Sequence, residues 1–331
     1  MAVVPPASAV VDAVPLPVGP RPGATRVDFA VGDRVQASVD VGTGNLLVTT
    51  TGLTLPGIDR DVQLGLDYNS LLVGSDSPAA DGAAGTGWQM RLGADTRLVA
   101  NDDGSVLYLA PGGRQGLYEP TSAGASSYTS PAGFKNTLVQ TSAGWELSDH
   151  TSNAMSVFDT AGKLRTIRDR NGQQTTFDYS SSGAQRLQQI TSTRGGPGAR
   201  TVEVNFAYGV LGSLTQTGDD GTVRKVEYGY DDVTGASPLL TSITDPAGRV
   251  TNFGYDTADR LTSVTNTAGV QTTFGYDSTN RVTDVVRDMG EIAATTRFAY
   301  ASDTQTLVAD PNTDPTTPVA TGPHTTYSLD G

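Results

Sequence analysis

Acid–base chemistry in this chain would fall to carboxylates, because its two histidines, His150 and His324, lie in separate regions. Neither has the neighbours of a catalytic triad, and two isolated imidazoles make a poor set of metal ligands. Asp149-His150 reads as a turn. With no cysteine, the chain has neither disulfides nor thiolate metal sites. Its 35 Asp and Glu residues allow many carboxylate pairings for glycoside hydrolysis, and nothing singles one out. Asn101-Asp102-Asp103-Gly104, Asp219-Asp220-Gly221 and Asp231-Asp232 could offer oxygens to Ca²⁺, but none completes an EF-hand loop or a calcium-binding nonapeptide. Asp and Gly are also the ordinary residues of turns, and these segments are read as turns. GTGN (42–45) and GGPG (195–198) precede no amphipathic helix, whose N-terminus a phosphate loop needs. Trp88 and Trp145 would stack on sugars if exposed, but burial is the commoner fate of Trp in a strand context. The expectation is therefore no catalytic residue, no metal site and no cofactor.

The elements that carry these residues repeat. Residues 245–265 read DPAGRVTNFGYDTADRLTSVT and 266–286 read NTAGVQTTFGYDSTNRVTDVV, with Gly248 and Gly269, and Tyr255 and Tyr276, each 21 residues apart. A period of this size marks units that must stack on neighbours to bury an apolar face. Within a unit, Gly248 ends the turn Asp245-Pro246-Ala247-Gly248. Thr251, Phe253 and Tyr255 fall on one face of a strand, and Val250, Asn252 and Gly254 on the other. Asp256 can bond the backbone of the next turn, and Arg260-Leu261 opens a return strand that Val264 completes. Gly254 and Gly275 suit close approach at their face. Each unit is a hairpin, and successive hairpins should join into one long twisted sheet.

Composition agrees with many short strands. The 331 residues include 39 Gly, Gly and Asp recur every several residues, and Val, Thr, Tyr and Phe fill the intervals. A net charge of −13 opposes binding to nucleic acid or to anionic membranes. No run of 18 apolar residues occurs, so no transmembrane helix is expected. Residues 1–26 read as a disordered Pro- and Ala-rich leader, in which Ala7-Ser8-Ala9 has the form of a signal-peptidase site. Residues 27–150 read as an N-terminal β region, with a hairpin at Gly42-Thr43-Gly44-Asn45 and Val62, Leu64 and Leu66 on one face of a strand. Residues 151–331 hold the repeats, with SVFDTAGKLRTIRD (156–169) turning at Asp159–Gly162. The array stops at Asp330-Gly331 directly after HTTYSLDG, as a piece of a longer protein would.

The phrase G-x-x-x-x-F-x-Y-D-x-x-x-R-L/V-T resembles the YD repeat of the Rhs family: Rhs polymorphic toxins, wall-associated proteins, shell components of insecticidal toxin complexes, and teneurins. The matching residues are Gly248, Phe253, Tyr255, Asp256, Arg260 and Leu261, then Gly269, Phe274, Tyr276, Asp277, Arg281 and Val282. The stretch 171–191 matches at Gly172, Phe177 and Tyr179, with Ser180 in place of the Asp. VDVGTGNLLVTTTGLTLPGIDRDVQLGLDYNSLL and GTGWQMRL resemble the opening of an Rhs region, so the resemblance covers about 27–331. It implies an all-β fold in which hairpins form a long, curved, spiralling sheet. It also implies a non-catalytic wall around a C-terminal toxin or effector, in a secreted or cell-surface bacterial protein. The family's self-cleaving aspartate core is lacking, and Asp245-Pro246-Ala247-Gly248, though superficially similar to its cleavage phrase, is read as a turn. The alternative is a surface adhesion or carbohydrate-binding module, as the teneurin side of the family suggests; a hydrolase would need a carboxylate pair in a cleft. Partners implied are the C-terminal effector and, through open strand edges, further copies of the chain.

Overall fold

A computed structural model of the chain describes residues 15–55, 61–181, 183, 185–193, 200–231, 238–288, 290 and 293–329. Ala7-Ser8-Ala9, GGPG at 195–198, Asp232 and Asp330-Gly331 lie outside these residues. Among the described residues there is no α-helix, only the short 3-10 turns Ser70–Leu72 and Pro111–Gly113. The dominant element is a sheet of 17 described strands, from Asn136–Thr141 to Thr325–Ser328, ordered as in the chain. Each strand pairs antiparallel with its sequence neighbour, so the sheet is one long meander. The meander begins at Asn136, upstream of the repetitive phrasing.

The repeat strands form because one face is apolar at every second residue. Thr251 and Phe253 are buried, with Val250 and Asn252 exposed between and beside them, and Thr272 and Phe274 repeat the arrangement. The return strands depart from a period of two. Leu261 and Val264 are both buried although three residues apart, as are Val282 and Val285, and Leu240 and Ile243. A β-bulge explains this spacing. Gly254 pairs with Ser263 but Tyr255 pairs with Leu261, leaving Thr262 as the extra residue. Thr283 and Thr241 hold the same place in the neighbouring repeats. A bulge bends its strand and increases the local twist, so its recurrence curves the sheet.

The N-terminal region folds differently. Arg26–Gly32, Val35–Asp40, Leu46–Thr50, Leu66–Asn69 and Trp88–Met90 make a five-stranded sheet, and Arg97–Ala100, Val106–Leu109, Gln115–Pro120 and Tyr128–Thr129 a four-stranded one. The hairpin at residues 42–45 is present, with Asp40 Oδ1 accepting from the N–H groups of Gly42 and Thr43. The strand expected to run through Val62, Leu64 and Leu66 is broken in two. Val62–Gln63 pairs with Thr54–Leu55, and Leu66 begins a separate strand in the five-stranded sheet. At the break, Gly65 lies so close to the neighbouring chain that a Cβ there would sit 2.1 Å from Thr50 O.

These parts share one core. Val39, Val48, Leu66, Tyr68 and Trp88 from the N-terminal sheet join Phe177, Phe253, Phe274 and Phe298 from the repeats in a single buried cluster. If flat, the strands from Leu164–Arg168 to Gln305–Ala309 would span about 55–60 Å at the usual strand spacing. The N-terminal region nevertheless bonds to both ends of that span: Leu98 N donates to Gly162 O at 2.8 Å, and Thr306 Oγ1 donates to Val41 O at 2.8 Å. The meander therefore wraps around the N-terminal region, which occupies its concave face as a plug.

Candidate functional site in the repeat ladder and its plug

Each turn of the repeats is built by an Asp or Asn side chain at its first position. Asp256 Oδ1 accepts the N–H groups of Ala258 and Arg260, both at 3.0 Å, and Oδ2 accepts Arg260 Nε at 2.8 Å. Asp277 does the same with Thr279 and Arg281, its Oδ2 lying 2.7 Å from Arg281 Nε. Burial opposes ionisation of both carboxyls, but the bonds from the arginine and the turn N–H groups outweigh it and hold them below the ordinary Asp range. Asp245 binds Ala247, Arg249 N and Arg249 Nε in the same geometry, and Asn266 binds Ala268 and Val270. Residues 245, 256, 266 and 277 are thus four versions of one turn, 10 or 11 residues apart. The fourth turn residue takes a left-handed conformation in each: Gly248 (φ 77°), Asp259 (61°), Gly269 (81°) and Asn280 (62°). The 21-residue unit is therefore a pair of similar halves. Gly172 (φ 79°) serves the same turn after Asp169.

The arginine of one turn reaches the tyrosine of the next repeat. The Arg260 guanidinium lies 5.1 Å from the centre of the Tyr276 ring, Arg281 lies 4.3 Å from Tyr300, and Arg165 lies 4.7 Å from Tyr179. Each tyrosine then donates its hydroxyl backward to a carbonyl at the start of the preceding return strand. Tyr255 bonds Leu240 O at 2.7 Å, Tyr276 bonds Leu261 O at 2.6 Å, Tyr300 bonds Val282 O at 2.6 Å, and Tyr230 bonds Leu211 O at 2.8 Å. Tyr179 donates instead to Gly93 O of the N-terminal region, at 3.4 Å. Burial raises the phenols of Tyr255 and Tyr276 well above their ordinary range, so both remain donors at neutral pH. The apolar members Phe177, Phe253 and Phe274 are buried. Gly254 and Gly275 lie under cross-strand side chains: a Cβ would sit 2.5 Å from Ser263 Oγ and 2.0 Å from Asp284 Oδ2.

The bulges point return-strand N–H groups at the plug. Leu261 N donates to Tyr68 OH at 3.0 Å, Val282 N to Gly44 O at 3.0 Å, and Leu211 N to Ala83 O at 2.7 Å. Asn280 Nδ2 donates to Val73 O, and the backbone carbonyl of Asn280 accepts from Ser70 Oγ. Gly44 is inserted so deeply that a Cβ would lie 2.5 Å from Arg281 Cβ. Trp88 Nε1 donates to Tyr255 OH at 2.8 Å, with its ring edge-on to Phe253 at 5.1 Å. Trp88 is fully buried and Trp145 packs against Tyr128, so neither offers a face to a sugar. His150 and His324 are exposed; the first contacts Thr137 Oγ1 and the second Gly322 O. Among the described residues no group of three acidic or histidine side chains converges as a metal site.

A family model described as RHS Repeat matches residues 239–271 and 255–288, the stretch that holds this ladder. The chain carries Rhs repeats. A second model, Domain of unknown function (DUF6531), matches residues 36–118, most of the plug. No curated protein matches. Among solved structures, the chain is similar to TcdB2-TccC3 without its hypervariable C-terminal region, at 11% identity and TM-score 0.30, over 89% of this chain and 17% of that one. It is also similar to the Photorhabdus luminescens Tc holotoxin pore, at 12% identity and TM-score 0.23, over 88% of this chain and 20% of that one. The chain thus spans about a fifth or less of the length of these structures.

Two features of the Rhs-repeat site escape the YD phrase. The Asp245, Asp159 and Asp169 turns belong to the ladder but lack the preceding Phe-x-Tyr. Their signal was Asp or Asn at 10–11-residue spacing with Gly or Asn three residues later. The plug contacts through Tyr68, Gly44 and Ser70 have no periodic signal, because each is made once.

Proposed function

We propose that this chain forms the plugged N-terminal end of a β shell whose wall sequesters a C-terminal toxin or effector carried by a longer native polypeptide. The observation that carries this reading is the plug: the chain's own N-terminal region fills the concave face and caps the N–H groups that the bulges direct inward. Such an end would be closed to proteases and to targets, and the repeats would supply wall. The action is physical exclusion and involves no catalysis by this segment. We read residues 1–26 as leader, 27–150 as the N-terminal Rhs region and 151–331 as repeat wall, in an exported or cell-surface bacterial protein. Among the described residues Thr325–Ser328 pairs on one side only, and that edge suits either a further repeat or another chain. Among the described residues no helix is long and apolar enough to cross a membrane.

The test is intact mass and C-terminal peptide mapping of the product purified from its source cells, with limited proteolysis. The reading expects a product far longer than Gly331, with a copurifying C-terminal piece that resists protease until the wall is unfolded. A product ending at or near Gly331 with no such piece would overturn it.

A further inference from the structure

One hairpin tip carries a side chain that its backbone disfavours. Arg200–Ala207 and Val210–Thr217 are joined by Tyr208 and Gly209, both at positive φ (51° and 103°). This is the two-residue turn that Asn-Gly suits best, and a bulky residue at its first position is a conformational outlier. Tyr208 is also 79% exposed, the most exposed of the large hydrophobic residues. Neither packing nor turn chemistry accounts for a tyrosine here.

Its surroundings are basic in a chain of net charge −13. Arg186, immediately before the neighbouring strand Leu187–Ser192, reaches the tip: its Nη2 would lie 3.7 Å from a Cβ on Gly209, and its guanidinium is 5.7 Å from the centre of the Phe206 ring. Arg186 is exposed, and among the described residues no carboxylate pairs with it. Lys163 Nζ bonds Gln185 O at 2.9 Å and Gln185 Oε1 at 3.2 Å, immediately before Arg186, leaving a third N–H of the ammonium. Arg165 stands beside Lys163, and Asp159 is the acid that pairs with Arg165.

We propose that this corner binds an acidic carbohydrate of the uronate class, with the sugar face on Tyr208 and carboxylates on Arg186 and Lys163. An exposed phenol offers a flat, polarisable face to axial C–H groups, and a free guanidinium accepts a carboxylate in bidentate fashion. Cations alone would attract any polyanion; a solvent-exposed aromatic at a strained turn adds the face that a sugar ring uses. The inference is independent of the shell reading.

The test is calorimetric titration of the purified chain with a hexasaccharide of galacturonate, beside neutral maltohexaose and dextran sulfate, at low and moderate salt. Tyr208→Asn relieves the turn, so its melting temperature should be unchanged or higher, which separates binding from folding. The proposal expects binding of the uronate hexamer, a loss of tenfold or more in both Tyr208→Asn and Arg186→Ala, and no binding of maltohexaose. Absence of uronate binding would overturn it. So would dextran sulfate and uronate binding equally with Tyr208→Asn unaffected, which would make the corner a general cation patch.

Discussion

The plug and the repeat sheet bury the same kinds of residue by opposite means. In the sheet, every stabilising device is local and reused: Asp to its own turn, Arg to the next tyrosine, tyrosine back to the preceding return strand. In the plug, each contact with the sheet is made once and across long sequence separations, as Tyr68 with Leu261 or Ser70 with Asn280. Polar burial differs too. Asp67 is fully buried beside Arg91, with 2.6 Å between Oδ1 and Nη2, whereas Asp256 and Asp277 of the repeats remain partly open to water. A repeat can therefore be changed at one copy and keep its neighbours, but the plug has no second copy of any contact.

The largest expected effect lies where the two regions meet. Trp88→Ala removes a fully buried indole from between Tyr68 and Phe253. It should cost about 3–5 kcal/mol by denaturant titration; a cost below about 1 kcal/mol would show that the interface is not shared core. Next come the tyrosine hydroxyls. Tyr255→Phe removes the donor to Leu240 O and leaves buried Trp88 Nε1 without its acceptor, for about 1–3 kcal/mol. Tyr300→Phe breaks the ladder bond to Val282 O, for about 1 kcal/mol. Equal costs would mean that the plug contact adds nothing to the ladder.

Acid should separate the two regions by sign. Asp245, Asp256 and Asp277 have folded pKa values below the ordinary 3.8, so their contribution is present above that pH and is lost as pH falls through the folded values. Burial raises Asp67 and Asp95 in the plug above 3.8, against the hydrogen bonds and charges that favour ionisation. Their contribution is present below 3.8 and is lost as pH rises through the folded values. The Asp256→Asn, Asp277→Asn pair should flatten the acid limb of the stability profile, measured by denaturant midpoints from pH 2 to 6, and Asp95→Asn should not. The smallest effect is expected at Tyr228, which stands where other repeats carry Phe253 or Phe274. Its hydroxyl is buried without a hydrogen-bond partner among the described residues. Tyr228→Phe should be neutral or stabilising by about 1 kcal/mol, and a clear loss of stability would point to a bound water holding that hydroxyl.

Legibility in the sequence follows the same division. The hairpin array, the alternation at Thr251 and Phe253 and the Asp256 turn were readable because the period of 21 aligns equivalent residues. The bulge was not read, although the spacing of Leu261 and Val264 violates a period of two and marks it. That the two turns of each unit are versions of one turn was hidden because Asn266 and Asp277 sit in different local phrases. For the plug, individual strands such as Leu46–Thr50 could be found, but not their partners in space, because no spacing relates Tyr68 to Leu261 or Gly44 to Val282. The break at Gly65 was invisible for the same reason: it exists only because Thr50 lies against it.

The central claim is that plug and repeat sheet form one core, and equilibrium unfolding of a Trp145→Phe variant tests it most directly. In that variant Trp88 alone reports the plug by fluorescence, while far-ultraviolet circular dichroism reports mainly the larger sheet. The account predicts coincident transitions with one midpoint and one slope, as shared burial requires. A Trp88 transition that precedes loss of the sheet signal, with the remaining strands still folded, would show that the plug is a separate body and contradict it.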